Sequence, residues 1–175
     1  MNNASLQELI EQSSAGNVRA FEALTKHLDQ KLFAYVISRV RTRDSALDVV
    51  ADTLASVWRS LASFRYTTDA GFYRFVYTIA KRELYRVWRE PSNVSLEDAP
   101  EIASEETRAG NENRIAVMQV VEQLEKTARD IVVLRHWSGF SFGEIAVMLK
   151  MTESAVRVRH HRALITMRTT LQPYV

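Results

Sequence analysis

Arg157, Val158, Arg159, His161 and Arg162 stand within six positions of one another, and side chains of these types can read the edges of DNA bases. A guanidinium can donate to O6 and N7 of one guanine, and a valine can meet a thymine methyl. At about 100° per residue, Val156, His160, Ala163 and Leu164 fall on one side of a helix. Arg157, Val158 and His161 fall on another. The first set is expected to pack, with His160 as a satisfied core histidine. The second is expected to meet bases, His161 reaching a base or a nearby phosphate. Arg162 suits a phosphate contact, which fixes register without reading sequence. Arg159 suits either a phosphate or an internal ion pair.

Such a face needs a helix presented by a second helix, and SFGEIAVMLKMTESAVRVRHHRAL, residues 141–164, supplies both. Ser141 and Glu144 have the spacing of a capping box. Ile145, Val147, Met148 and Leu149 give apolar packing, and Thr152 can cap the next helix after the short Lys150–Thr152 connection. This is a helix-turn-helix pattern, whose second helix enters a major groove. The plainer alternative is a helical hairpin with a solvated basic face.

A second concentration lies between Phe72 and Arg89, where Tyr73, Tyr77, Tyr85 and Trp88 alternate with Arg74, Lys81, Arg82, Arg86 and Arg89. Aromatic faces stack on unpaired bases while cations hold the backbone, so the pattern suits single-stranded nucleic acid. Aromatics at helical spacing are also ordinary core, and the residues alone leave both readings open.

Elements to hold these clusters follow from apolar spacing. Ser5 and Glu8 form a further capping box, and Phe21, Leu24, Leu28, Leu32, Tyr35 and Val36 recur every three or four residues. Asp44 precedes a helix lined by Leu47, Val50, Leu54, Val57, Trp58 and Leu61, and 64–71 reads as a loop. Only five glycines and three prolines interrupt 175 residues, which favours long helices. The chain is therefore expected to be all-α. Without cysteine it has no disulfide or thiolate metal site. No apolar run reaches the roughly 20 residues of a membrane span, and the opening lacks the regions of a secretory signal. A cytoplasmic location is expected.

Charge divides the chain. Residues 1–90 hold 13 Lys/Arg against 10 Asp/Glu, and 114–175 hold nine against five, while 91–113 hold one Arg and six acids. Two small helical domains, 1–90 and 114–175, are thus expected, joined by a flexible acidic linker, 91–113. Basic blocks suit a polyanion, because neutralised phosphates release counterions. The four histidines show no metal-binding spacing, and there is no phosphate loop or nucleophile elbow. No cofactor, metal, small-molecule substrate or catalytic site is expected.

Across nearly its whole length the chain resembles the extracytoplasmic-function (ECF) sigma factors, the minimal group 4 members of the sigma-70 family. NVRAFEALTKHLDQKLFAYV resembles the start of their region 2, and DVVADTLASVWRSLASFR the helix that docks on the RNA polymerase clamp. FYRFVYTIAKRELYRVWR is similar to the segment that melts and reads the −10 element. LEKTARDIVVLRHWSGFSFGEIAVMLKMTESAVRVRHHRAL resembles region 4, which reads the −35 element.

The resemblance implies binding to core RNA polymerase through clamp and flap, with Asp48, Asp52 and Trp58 on the clamp. It implies −10 contacts from Phe75, Tyr77, Lys81, Arg82, Arg86 and Arg89, and −35 contacts from Arg157, Val158, Arg159, His161 and Arg162. The promoter is met as both duplex and single strand. The linker would thread the polymerase channel near nascent RNA. An anti-sigma factor or a Ser/Thr kinase would regulate the protein, which is not an enzyme. The alternatives are a helix-turn-helix regulator acting without core polymerase, and an interaction protein without promoter activity.

Four positions depart from the family. Leu47 and Ala51 stand where an acid and a glutamine are usual, which implies weak affinity for core polymerase. Thr53, one residue after Asp52, is then a candidate phosphorylation site that would restore negative charge. Arg82 and Arg86 replace the common asparagine and aspartate, implying an unusual −10 preference. Lys150 replaces the turn glycine, implying a slightly different turn.

Overall fold

The computed structural model describes residues 4–89 and 116–171, and among them every regular element is a helix. They are α1 (Leu6–Ser14), α2 (Val18–Ile37), α3 (Arg43–Leu61), α4 (Asp69–Arg89), α5 (116–123), α6 (Lys126–His136), α7 (Phe142–Leu149) and α8 (Glu153–Leu171). The acidic linker, residues 91–113, lies outside the described residues.

Polar side chains set most helix starts by taking amide protons that have no partner within the helix. Both capping boxes form: Glu8 N donates to Ser5 Oγ and Glu144 N to Ser141 Oγ, each at 3.2 Å, with the glutamates reaching back to the cap amides. Asn17 caps α2. Thr42, not Asp44, caps α3, accepting from Ser45 N at 3.1 Å, so that helix begins at Arg43. The polar loop after Phe64 is shorter than its composition implies, because Thr68 accepts from Gly71 N at 3.1 Å and α4 starts at Asp69. Glu125 caps α6 through Thr127 N and Ala128 N, and these bonds hold its carboxyl below the usual range.

Helices α1 to α4 form the first helical group. Leu24, Leu28 and Leu32, one turn apart on α2, are fully buried against Val50, Val57 and Leu61 of α3 and Phe72, Val76 and Leu84 of α4. Truncating such a leucine to alanine costs about 2–5 kcal/mol. The second group packs α6, α7 and α8 around Ile131, Leu134, Ile145 and Val156.

The two groups share a face. Helix α7 lies along α4, and Phe140, in the turn before α7, stands edge-on to Tyr73 and Tyr77 at 4.8 and 5.4 Å between ring centres. Gly139, at φ +75, supplies the left-handed turn that carries the chain into this contact.

Candidate nucleic-acid and polymerase interfaces

The turn between α7 and α8 has the geometry a glycine would give it, although a lysine occupies the position. Lys150 sits at φ 57, ψ 47, the left-handed region, and its amide donates to Val147 O at 3.3 Å. The sequence departure thus leaves the turn intact, at the cost of a Cβ clash that is about 1–2 kcal/mol for an L-residue. Thr152 Oγ1 then accepts from Ala155 N at 3.2 Å and starts α8.

Helix α8 presents the two faces expected from its spacing. Val156 and Ala163 are buried on α6 and α7, and Met167 extends this seam. Val158 is 46% exposed, and Arg157, His161 and Arg162 also face outward. Leu164 departs from the packing set and remains on the surface. Arg157 is held before any DNA arrives. Its Nε donates to Glu153 Oε1 at 2.9 Å, and its guanidinium lies 4.7 Å from the Phe142 ring centre. Arg159 makes an ion pair at 3.8 Å with Glu125, and both side chains are exposed. In this structure Arg159 makes the internal pair, and its exposure leaves it able to reach a phosphate as well.

His160 is half-buried and bonds to His136, their Nε2 atoms 2.8 Å apart. The ring centres are 5.1 Å apart and the planes differ by 21°, so the rings meet head-on. One proton can lie between the two nitrogens; a second would put two N–H groups face to face. Burial first, then neighbouring positive charge, lowers both imidazoles from 6.5.

Helix α4 divides the aromatic-basic set. Phe75 and Arg82 line an open cleft of about 410 Å³ with Ser60, Phe64, Thr67 and Arg74. Phe64 and Phe75 pack 4.6 Å apart at its wall. An aromatic wall flanked by two arginines is a fit for an unpaired base with its phosphates. Arg89 is exposed at the end of the helix.

Two of the expected −10 residues are placed differently. Tyr77 is 3% exposed, donates to Lys31 O at 3.0 Å and packs against Tyr35 and Phe140, so it is a packing residue rather than a stacking platform in this conformation. Burial pushes its phenol up from the ordinary value, and pushes that of Tyr73 up to about 12. Lys81 Nζ is engaged by Asp130 at 3.0 Å.

On α3, Asp48 and Leu47 are exposed, as a docking surface requires. Asp52 is paired with Arg86, and Arg86 also reaches Glu83 at 3.5 Å. Trp58 is half-buried, its ring 4.7 Å from Phe21 on α2.

The structure places Thr53 inside the first helical group rather than on the docking surface. It is fully buried, and its hydroxyl donates to Val49 O at 2.6 Å. A kinase has no access to it in this conformation, and a phosphate there would have to enter the core of the first helical group. The sequence signal was present, since Val49, Thr53 and Val57 are spaced by four on the inward side of α3.

Among the described residues no group of three or more histidine and carboxylate side chains could hold a metal, and no helix is long and apolar enough to cross a membrane. Sequence reasoning missed Arg39, Asp130 and Phe140, which lie at the centre of the contact between the two helical groups.

Two family models match. One, described as Sigma-70 region 2, covers residues 14–93, and the other, Sigma-70, region 4, covers residues 114–167. The RNA polymerase sigma-H factor of Pseudomonas aeruginosa is 30% identical over 183 residues, spanning 95% of this chain and 94% of its own. The ECF RNA polymerase sigma-E factor of Escherichia coli (strain K12) is 29% identical, spanning 97% and 95%. The solved structure of CnrH in complex with the cytosolic domain of CnrY superposes with a TM-score of 0.73 at 23% identity, over 94% of this chain and 96% of that one. The sigma factor RpoE in complex with the anti-sigma factor NepR from Bartonella quintana gives 0.62 at 20% identity, over 88% and 98%. At these identities the two structures show a shared fold.

Proposed function

Because this chain belongs to the sigma-70 family, matched in both region 2 and region 4, we propose that it directs core RNA polymerase to promoters and helps open them. The observation that carries this reading is that one chain has two surfaces, each with the chemistry to suit a different form of nucleic acid. The outward Arg157–Val158–His161 face of α8, behind a capped helix-turn-helix, suits duplex bases of a −35 element. The Phe64–Phe75 cleft with Arg74 and Arg82 suits a base leaving the duplex at a −10 element. A regulator that only binds duplex DNA has no use for the second.

Polymerase supplies the chemistry of RNA synthesis, and this chain supplies promoter choice. Asp48, exposed beside Leu47, offers charge to the clamp, with Asp52 available once it leaves Arg86. The acidic linker, with six acids to one arginine, suits a positively charged channel in the polymerase. An anti-sigma protein is the proposed regulator, supported by the anti-sigma partner of the similarly folded RpoE.

Copurification with core polymerase followed by run-off transcription tests the proposal. Promoter-dependent transcripts that appear only when the chain is added to core are the expected result. Duplex binding without core binding would favour the regulator that acts alone.

A further inference from the structure

Asp130 is a buried acid of α6 whose salt bridges both run to the other helical group. It is 6% exposed, and both carboxylate oxygens are bonded to the other group: Oδ1 to Arg39, in the turn after α2, and Oδ2 to Lys81 Nζ of α4 at 3.0 Å. Arg39 is itself 6% exposed at the side chain. It donates to Tyr35 O at 2.8 Å and lies 3.7 Å over the Tyr35 ring. A buried carboxylate is tolerated only when paired and hydrogen-bonded, so these two cations are what allows α6 to dock.

The rest of the contact is equally specific. Ser138 Oγ donates to Lys31 O at 3.0 Å, and Lys31 Nζ donates back to Ser138 O at 3.1 Å. Phe140 is 1% exposed between Tyr73, Tyr77 and the Lys31 ammonium, which stands 4.5 Å from its ring centre. Every one of these bonds crosses between the two helical groups.

We propose that Asp130 stands in for a DNA phosphate: it plugs a two-cation seat made by Arg39 and Lys81, and so clasps the two DNA-reading domains shut until promoter backbone takes its place. The inference rests on the promoter-binding reading above. A −35 and a −10 element are centred about 25 base pairs apart, roughly 85 Å at the rise of B-DNA. Two domains in side-chain contact cannot reach both, so the closed form must open to work. Opening returns Asp130 to water and leaves two adjacent cations on the −10 domain. A phosphate there accepts charge-assisted bonds from the same donors. Arg39 thereby becomes a promoter contact that the −10 segment alone does not reveal.

The test uses the full chain with Asp130→Arg, with Phe140→Ala as a second way to open the contact, and with the swapped pair Arg39→Asp/Asp130→Arg. Small-angle scattering reads closure, and titration with core polymerase and promoter DNA reads function. Wild type should have a radius of gyration near the roughly 16 Å of a compact chain of this length. Both opening variants should expand by several Å and bind promoter DNA in the presence of core at least tenfold more tightly. The swapped pair should be more compact than Asp130→Arg alone, and it should lose the gain in promoter affinity, because Arg39 is missing from the phosphate seat. In an open background, Arg39→Ala should lower the slope of log affinity against log salt by about one phosphate.

An expanded wild type, an Asp130→Arg chain that stays compact, or expansion without tighter binding would each overturn the clasp. An Arg39→Ala slope equal to that of its parent would overturn the phosphate seat. If no variant binds core or supports transcription, the promoter-binding reading fails, and scattering still decides whether Asp130 closes the chain.

Discussion

Glu153→Ala separates what Arg157 does in the free protein from what it does on DNA. The two side chains form an exposed pair one turn apart, at 60% and 48% exposure, with the guanidinium also over Phe142. An exposed i,i+4 pair contributes about 0.3–0.5 kcal/mol, and an exposed cation–π contact about 0.5–1 kcal/mol. Together they hold Arg157 back by about 1 kcal/mol, against the roughly 1–3 kcal/mol of a bidentate guanine contact. The base contact wins, but by less than for a free arginine. Arg157→Ala should therefore cost up to about 2 kcal/mol, roughly thirtyfold at most, on the matched duplex and nothing where that guanine is replaced. Glu153→Ala should tighten the matched duplex about twofold by releasing the pair, and should give no such gain when Arg157 is already alanine. Arg162→Ala should weaken every duplex similarly and lessen the salt dependence. Fluorescence anisotropy on −35 duplexes varied one pair at a time, at two salt concentrations, measures all of this. An Arg157→Ala loss of the same size on every duplex would refute the assignment of the reading face.

Three further outcomes follow from burial and backbone geometry. Thr53→Glu places a carboxylate in a fully buried site and should cost more than about 3 kcal/mol, whereas Thr53→Val loses one hydroxyl bond, about 1 kcal/mol; an unshifted urea midpoint for Thr53→Glu would contradict the packing of α3. The unfolded chain begins to take up protons near 6.5, which the folded His136–His160 pair refuses because its values are lowered. Stability should thus be full above that pH and fall as pH drops through the pair's folded values; in thermal unfolding, His160→Leu should flatten this fall, and an unchanged pH profile would sink the shared-proton geometry. Lys150→Gly keeps φ 57 without a Cβ and should raise stability by about 1 kcal/mol, read as a higher unfolding midpoint.

Local features were the legible ones. The boxes at Ser5–Glu8 and Ser141–Glu144 depend on residues three apart, and the split of α8 into Val156–Ala163 and Val158–His161 depends only on helical period. At two positions charge or aromatic chemistry points outward while that same period points inward, and the structure follows the period. Thr53 shares the inward spacing of Val49 and Val57, and Tyr77 that of Tyr73, Ala80 and Leu84. In both cases the apolar neighbours four residues away had already determined the side. No local pattern indicates that Asp130 meets Arg39 across 91 positions, although an acid directly before the run Ile131–Leu134 is an unusual burial. The expectation of weak clamp affinity, drawn from Leu47 and Ala51, gains a second cause that only the structure reveals. Asp52, one of the two acids left for the clamp, is paired with Arg86, one of the cations expected at the −10 element. Both side chains are about half exposed, so the pair is worth no more than about 1 kcal/mol and yields readily to a better partner. On the proposed reading, polymerase taking Asp52 would leave Arg86 with Glu83 alone, and DNA taking Arg86 would release Asp52 to the clamp. Each partner's arrival would then lower the cost of the other's, and Asp52→Asn should weaken that coupling between core binding and −10 binding, measured as core affinity with and without promoter DNA.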